Sequence, residues 1–273
     1  MFATDSPNGT MGSAARLFSL IYLNTVRTVR RTHRNAFMAL AVNIFQTILM
    51  VGVFYAMFLL PGLRGMAIRG DFLLYIMSGI FLYMTHVKTF GAVLGSEGPA
   101  SPMMHHLPMT TTVAIASAAL GALYIQILSM VVILYAYHVI WTPIEIAQPV
   151  GALGMVIASW FSGLALGMVF LAAKPWMPGP VQMVSQIWQR ANMFLSGKMF
   201  VANALPAYLL VVFDWNPLFH MIDQARGFIF INYTPHVSSI TYPILVSSVL
   251  FGLGLIGEGY TRSRVSISWS ARK

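Results

Sequence analysis

The sequence predicts an all-α polytopic membrane protein with six transmembrane helices, an amphipathic interfacial helix at the N-terminus, and short re-entrant helices between crossings five and six. Three observations support this prediction. Of the 273 residues, 58% are hydrophobic and only 8% are charged, whereas soluble domains carry about 25% charged residues. Apolar runs of the length that a bilayer requires, about 20 residues, recur along the chain. Finally, the stretch 196–226 is broken by polar residues and prolines where an apolar segment would be expected to continue.

An amphipathic helix is expected over residues 13–34, and residues 1–35 form a cytoplasmic and interfacial arm. One side of this helix carries Leu17, Leu20, Ile21 and Asn24. Arginines surround the remainder: Arg16, Arg27, Arg30, Arg31 and Arg34. Such a helix lies in the plane of the membrane interface. The alternative is a solvated basic tail that only fixes the orientation of the chain.

Long apolar runs predict the crossings, and loops rich in proline and glycine separate them. The clear crossings are Ala36–Leu60, Phe72–Leu94, Val113–Ile140, Val150–Ala172 and Ile240–Gly257. Together with a less apolar fifth crossing, they define a transmembrane domain over residues 36–257. A basic cytoplasmic tail is expected over residues 258–273.

The fifth crossing is rich in polar residues and admits two placements. Val181–Val201 contains Arg190 and Lys198, whereas Met193–Phe213 contains Lys198 and Pro206. In the first placement Arg190 lies near the middle of the membrane, where a charge is costly and usually faces a cavity or a partner. In the second placement Arg190 lies at the cytoplasmic interface. The long stem of Lys198 would allow its ammonium to reach outward from the apolar region.

The segment after the fifth crossing is too short to span a bilayer. The apolar run Pro206–Phe213 is followed by Asp214-Trp215-Asn216-Pro217 and by an amphipathic stretch with His220, Asp223 and Arg226. Irregular backbone at membrane depth is tolerated only where protein or water-filled space surrounds it. We therefore expect a re-entrant element that lines a pathway.

The distribution of Lys and Arg predicts the orientation, because cytoplasmic loops carry an excess of both. The N-terminal arm, Lys88, Lys174 and the C-terminal tail fall on one side, against Arg64, Arg69 and Arg226 on the other. Both termini are therefore expected in the cytoplasm. The same placement of arginines beside membrane segments explains the formal charge of +9 by topology and anionic lipids, so no nucleic-acid partner is expected.

Small residues in the fourth crossing indicate close helix packing. Ser159, Gly163 and Gly167 share one face and permit another helix to approach closely, either within the chain or between two chains.

The sequence offers little catalytic chemistry. It contains no cysteine, which excludes disulfides, zinc–thiolate sites and thiol catalysis. The only Gly-Lys pair, Gly197-Lys198, is followed by Met199 and lacks the phosphate-cradling pattern of a nucleotide-binding loop. His105 and His106 are adjacent loop residues without ligand spacing, so no metal site is predicted. We expect a protein that is not an enzyme and that depends on a partner for energy.

Several motifs resemble the permease subunits of ABC-2 type exporters, over essentially the whole chain. The shared features include the basic arm, the six crossings and a cytoplasmic loop ending in His106-Leu-Pro-Met-Thr110. Ser196-Gly-Lys-Met-Phe200 followed by Leu205-Pro206 is similar to the family's SGxxF…LP signature, although apolar residues are usual at the position of Lys198. Asn216-Pro-Leu-Phe-His220, with Asp223 and Arg226, is similar to its NPL-x-H-x-x-(D/E)-x-x-R stretch. Size and layout are most similar to the branch that exports capsular polysaccharide, O-antigen or teichoic acid.

The resemblance implies a homodimeric pore in the bacterial inner membrane, energised by two copies of a separate ATP-binding subunit that holds ATP and Mg²⁺. This chain itself would hold no cofactor. Its cargo would be a polysaccharide or lipid-linked glycan. Membrane lipids and periplasmic and outer-membrane export proteins would be further partners.

The resemblance and the broken segment together assign two sets of residues. The candidates for coupling to the ATPase are Arg27, Arg30, Arg31, Glu97, His105, His106 and Pro108. The candidates for the translocation path and its re-entrant gate are Arg190, Lys198, Phe200, Pro206, Trp215, Asn216, Pro217, His220, Asp223 and Arg226.

Other functions stay open on the sequence alone. Within the same class, the cargo could be a drug, a lipid or a haem-like small molecule. An integral membrane enzyme acting on lipid-linked glycan would need carboxylate or histidine side chains clustered at one interface. The candidates for such a cluster are Asp214, His220, Asp223 and Arg226. A scaffold without cargo is disfavoured by the polar fifth crossing, since buried polar groups are costly without a role.

Overall fold

A computed structural model describes residues 17–27, 36–59, 71–96, 98 and 110–270. The prediction of an all-α protein is confirmed for these residues. Residues Ala202–Ala204 form a single turn of 3₁₀-helix. The helices are α1 (17–27), α2 (Ala36–Leu59), α3 (Phe72–Leu94), α4 (Thr111–Ile140), α5 (Pro149–Ala173), α6 (Pro178–Leu195), α7 (Ala207–Phe213), α8 (Pro217–Ile229) and α9 (Thr241–Ser270).

Five of these helices are long and apolar enough to cross a membrane, so the chain is a multi-pass membrane protein. The five correspond to the clear crossings expected from the sequence: Phe37–Phe58, Phe72–Leu94, Thr111–Ile140, Pro149–Ala173 and Thr241–Arg264. Helix α6 corresponds to the fifth crossing but lacks the apolar content of the others. It ends at Leu195, so neither predicted placement is one continuous helix: Met193–Phe213 lies almost wholly beyond it, and Val181–Val201 runs six residues past its end.

Helix α9 continues into the predicted basic tail, because residues 258–270 are helical. Thr111 donates a hydrogen bond to the carboxylate of Glu258. The indole nitrogen of Trp176 donates to the hydroxyl of Thr261 (2.9 Å). These bonds hold the second half of α9 against the first turn of α4 and the chain that follows α5.

Side-chain contacts define the two ends of the bundle. At the upper end, where α3 and α5 begin, Tyr137 and Thr142 donate hydrogen bonds to the carboxylate of Asp71. At the lower end, where α3 and α5 finish, Lys174 donates to the carbonyl of Leu94 (3.2 Å). Helices α3 and α5 therefore run in the same direction, and α4 runs antiparallel to both.

Helix α1 lies near the lower end and covers part of the predicted 13–34 helix. Ser117 of α4 donates a hydrogen bond to the carbonyl of Ile21 (3.2 Å), and Ile21 and Asn24 are partly buried. Leu17 and Phe18 stay exposed. An exposed apolar surface beside the ends of membrane helices is typical of a helix in the membrane interface.

Helix α3 forms the centre of the bundle, and α5 packs closely against it. Ser159 donates to the carbonyl of Leu82 (2.7 Å). A Cβ at Gly163 would lie 2.4 Å from the carbonyl oxygen of His86, so only glycine permits the observed approach. The small-residue face predicted in the fourth crossing therefore serves packing within the chain.

Helices α2 and α9 lie at the periphery and present apolar side chains outward. Mean burial is lowest in these two spans, as expected for lipid-facing helices. The exposed apolar residues include Phe45, Ile48, Leu49 and Val53 on α2, and Ile244, Leu245, Val249 and Leu253 on α9.

Replacing Gly163 with Ala is predicted to destabilise the bundle by about 1–3 kcal/mol, because the added methyl group must push α5 away from α3. The measurement is the thermal unfolding midpoint of the purified protein in detergent. Gly154→Ala is the matched control on the same helix, since a Cβ there meets nothing within 4 Å. Equal midpoints for the two variants would contradict the packing described.

Candidate functional site

Helix α6 carries a polar stripe on the surface of the chain. Gln182, Gln186 and Arg190 recur every four residues and are all exposed. The side chains that α6 buries are Val181, Ser185 and Asn192. With 18 residues, α6 is about 27 Å long, close to the ~30 Å hydrocarbon thickness of a bilayer. Such a stripe requires water or another protein surface, because charged and amide side chains are costly against lipid tails.

Helix α6 runs beside the membrane-spanning helices. It begins just after the lower end of α5, and the hydroxyl of Tyr83 donates to the carbonyl of Gln189 (3.4 Å). Tyr83 stands at the middle of α3 (Phe72–Leu94). Gln189 therefore lies near half the height of the bundle that the apolar helices form.

Asn216 joins the end of α6 to the start of α8. Its amide nitrogen donates to the side-chain oxygen of Asn192 (2.7 Å) and to the carbonyl of Leu195 (2.9 Å). Its amide oxygen accepts from the backbone of Leu218 (3.0 Å), which caps α8, and Pro217 occupies the first helical turn. One buried asparagine thus satisfies backbone groups at the ends of two helices.

The chain between α6 and α8 folds back on itself through a tight turn. Gly197 has φ +67, and a Cβ there would lie 2.3 Å from the ring of Phe219. Pro206 then precedes the short helix α7. The rings of Phe213 and Phe219 pack together, with centroids 5.8 Å apart, and form a small apolar core beneath the turn.

Helix α8 lies inside the bundle. Leu218, Met221 and Ile222 are almost completely buried and pack with residues of α3 and α5. At its end, the carbonyl of Phe228 accepts from the backbone of Gln148 (2.8 Å), the residue before α5. Helix α8 therefore occupies the upper half of the bundle, between membrane-spanning helices.

Arg226 holds the turn after α6 against α3. Its guanidinium donates to the carbonyls of Gly197 (3.3 Å) and Phe200 (2.6 Å), and also to that of Lys198. It also stacks on the ring of Tyr75, 4.0 Å from the centroid. Arg226 is 1% exposed, so these carbonyls and the ring replace its contacts with water at the two terminal nitrogens, whereas Nε has no hydrogen-bond partner among the described residues.

Asp223 and His220 fasten the chain that follows α8. The carboxylate of Asp223 accepts from the hydroxyl of Ser238 (2.7 Å) and from that of Tyr233. Burial and this hydrogen bond raise the pKa of Tyr233, so its hydroxyl remains a donor. Nδ1 of His220 accepts from the backbone of Ser239 (3.1 Å). Nε2 therefore carries the proton and donates to the carbonyl of Asp214 (2.6 Å).

Lys198 places an ammonium group near the centre of the bundle. The Nζ atom lies 3.4 Å from the ring centroid of Tyr83 and 4.8 Å from that of Phe54. Among the described residues, none accepts a hydrogen bond from it, and the side chain is 3% exposed. The two rings provide cation–π contacts but no hydrogen-bond acceptor.

One face of α3 packs against both Lys198 and Arg226, and this face was not predicted from the sequence. Tyr75, Gly79 and Tyr83 are spaced by four residues and so share one face. A Cβ at Gly79 would lie 2.9 Å from Cβ of Lys198 and 3.0 Å from the guanidinium of Arg226. The Tyr-x₃-Gly-x₃-Tyr spacing is the sequence signal that could have identified this face.

The structure thus divides the predicted path and gate residues into two groups. The buried group around α8 comprises Lys198, Asn216, His220, Asp223 and Arg226, and Pro217 beside them is partly buried. The exposed group comprises Arg190, Phe200, Pro206 and Trp215. Trp215 packs edge-on against Trp188 of α6, with centroids 6.0 Å apart, which links the exposed group to the polar helix.

Of the predicted ATPase-coupling residues, only Arg27 falls within the described ranges, where it is exposed at the end of α1. The others lie outside the described residues: Arg30, Arg31, Glu97, His105, His106 and Pro108. No group of three potential metal ligands occurs in the part of the chain that the structure describes.

A comparison with protein-family models finds no matching family, and a comparison with curated proteins finds no similar sequence. The arrangement of the site therefore carries the functional argument.

Arg226→Met is predicted to lower the stability of the protein by about 2–4 kcal/mol, because it leaves buried carbonyls without a charged donor. The free energy of unfolding in mild detergent measures this effect. Arg190→Met is the matched control, since it removes the same charge from an exposed position on α6. A loss no larger than that of the control would contradict the role assigned to Arg226.

Lys198→Met is predicted to have the opposite effect and to raise stability by about 1 kcal/mol or more. Burying an ammonium without an acceptor costs several kcal/mol, whereas cation–π contacts return about 1–2 kcal/mol each. Methionine keeps the length of the chain and contacts the same rings. The same unfolding measurement decides the sign, and a marked loss of stability would show that the ammonium has a hydrogen-bonding partner.

Proposed function

We propose that this chain is the permease subunit of an ATP-driven ABC-2 type exporter that moves a cell-surface polysaccharide or lipid-linked glycan outward across a bacterial inner membrane. Two copies would form the pore, and two copies of a separate ATP-binding subunit would drive it. Both termini would lie in the cytoplasm, which makes the upper end of the bundle the outer side.

The observation that carries the proposal is the exposed polar stripe of α6. Gln182, Gln186 and Arg190 lie on a helix that runs alongside apolar spans. In a homodimer, the stripes of two copies facing each other would enclose water. Amide and guanidinium groups donate and accept hydrogen bonds readily, as the hydroxyl groups of a glycan require. The helix would then be the fifth of six crossings.

The broken segment supports a gate on the outer side. Helices α7 and α8 are too short to cross the membrane, and α8 returns into the upper half of the bundle. Its anchors at Asn216 and Arg226 hold the segment in place. We assign α7 and α8 as the re-entrant helices, with Trp215 and Phe200 exposed at their surface.

The lower end offers a surface for the ATP-binding subunit. Helix α1 lies there with Arg27 exposed, and the positive charge of the N-terminal arm would face the cytoplasm. ATP-driven closure of the partner subunits would tilt the helices of the bundle. Helix α4 would transmit this movement from α1, because Ser117 of α4 donates a hydrogen bond to α1.

An enzyme acting on lipid-linked glycan is the weaker candidate. Three of the four side chains that it would use are already bonded within the protein, and only Asp214 is exposed. His220 bonds to backbone groups, Asp223 to two hydroxyls and Arg226 to carbonyls. Catalytic acids and bases need access to the substrate, and all three are buried.

The proposal predicts that the chain alone hydrolyses no ATP and that it copurifies with an ATP-binding subunit encoded beside its gene. Membrane vesicles containing both proteins should accumulate labelled glycan in an ATP-dependent manner. Gln186→Leu should reduce this accumulation at unchanged expression, because it interrupts the polar stripe. Val249→Leu on the lipid-facing side of α9 is the matched control.

The proposal would be overturned by glycan or lipid turnover by the chain alone, without a stable ATP-binding partner. If the vesicles transport a small molecule or a lipid in place of glycan, the assignment as an exporter stands and the assignment of its cargo is wrong.

A further inference from the structure

An apolar crevice opens between α4 and α5 in the upper half of the bundle. Its volume is about 180 Å³. Helices α4 and α5 both pack with α3 in this region but make few contacts with each other, which leaves the gap. The residues that line the crevice include Leu74, Ser78 and Phe81 of α3, Met130 and Leu134 of α4, and Ala152 of α5.

The lining of the crevice offers no free polar group to a ligand. Ser78 is the only residue with a polar side chain among those that line it, and its hydroxyl donates to the carbonyl of Tyr75 (2.7 Å). A cavity of this kind stays dry and favours an apolar occupant, and an apolar cavity of about 150 Å³ already suffices to bind benzene. Water is therefore a poor filler for this space.

The crevice is continuous with the lipid-facing surface. Leu153 lines it and is 43% exposed, whereas Ser78 and Phe81 line it and are buried. From Pro149 at the upper end to Val156, the lining covers the first two turns of α5, or about 10 Å along the helix. This length and depth match the upper part of an acyl chain in the adjoining leaflet.

We propose that the crevice binds one acyl chain of a bilayer phospholipid, which enters between α4 and α5 beside Leu153. The chain fills the space that these two helices leave over α3. Ile229, at the end of α8, lines the same crevice, so the acyl chain also contacts the helix that Arg226 anchors. This site is independent of the exported cargo.

The test uses the full-length protein in nanodiscs made only from synthetic phosphatidylcholine that carries a diazirine within one acyl chain. Illumination inserts the carbene into neighbouring side chains, and mass spectrometry locates the adducts. We expect adducts on Ser78 or Phe81, which an acyl chain reaches only by entering the crevice. Val249 on α9 reports labelling by bulk lipid. Because these nanodiscs hold no glycan lipid, any label in the crevice comes from phospholipid.

Three variants of α5 sharpen the result. Ala152→Phe fills the crevice and should reduce the label on Ser78 and Phe81 to background while Val249 stays labelled. Gly154→Phe adds the same ring at a position where a Cβ meets nothing within 4 Å, and it should leave the crevice labelled. Ala152→Leu, a smaller change, should give a partial loss if the phenylalanine variant does not fold.

The proposal is overturned if Val249 is labelled in the unaltered protein while Ser78 and Phe81 are not. Undiminished labelling of Phe81 in a folded Ala152→Phe or Ala152→Leu variant would overturn it as well.

Discussion

Irregular backbone inside a membrane protein must find its hydrogen bonds within the protein, and Arg226 supplies them here. The turn after α6 leaves carbonyls that no regular helix can satisfy, and the guanidinium of Arg226 donates to those of Gly197, Lys198 and Phe200. Planar geometry allows one side chain to serve several acceptors and to stack on Tyr75 at the same time. The positions of α7, α8 and the end of α6 all depend on this contact.

Asn216 and Asp223 extend the same principle to the rest of the broken segment. Both side chains are buried. Asn216 donates to the carbonyl of Leu195 at the end of α6, and Asp223 accepts from the hydroxyl of Ser238 in the chain that follows α8. The polar residues of α8 thus act mainly on the protein's own backbone and loops. The exposed polar stripe of α6 has no such partner among the residues that the structure describes, which makes it the surface that water, a second copy or a substrate would contact.

The sequence predicted the apolar spans well, since their boundaries follow from hydropathy and from proline and glycine breaks. It also predicted the break near residue 196 and the contact face at Gly163. It predicted a re-entrant element after residue 206 but not the burial of α8 against α3 and α5, because an amphipathic stretch of 13 residues suits an interfacial helix equally well. The packing of Lys198 on Tyr83 depends on residues more than 100 positions apart. The bonds of Asn43 to Ser129 and Gln126, which join α2 to α4, likewise link residues 86 and 83 positions apart.

The central claim is that the polar face of α6 lies against water at membrane depth, and the cysteine-free sequence allows a direct test. Gln186→Cys and Val249→Cys are each introduced alone, and membranes containing the protein are treated with a water-soluble, membrane-impermeant thiol reagent. A thiol reacts only where water allows it to ionise. The account predicts that the cysteine on α6 is labelled and the one on α9 is not. Equal protection of both cysteines would contradict it.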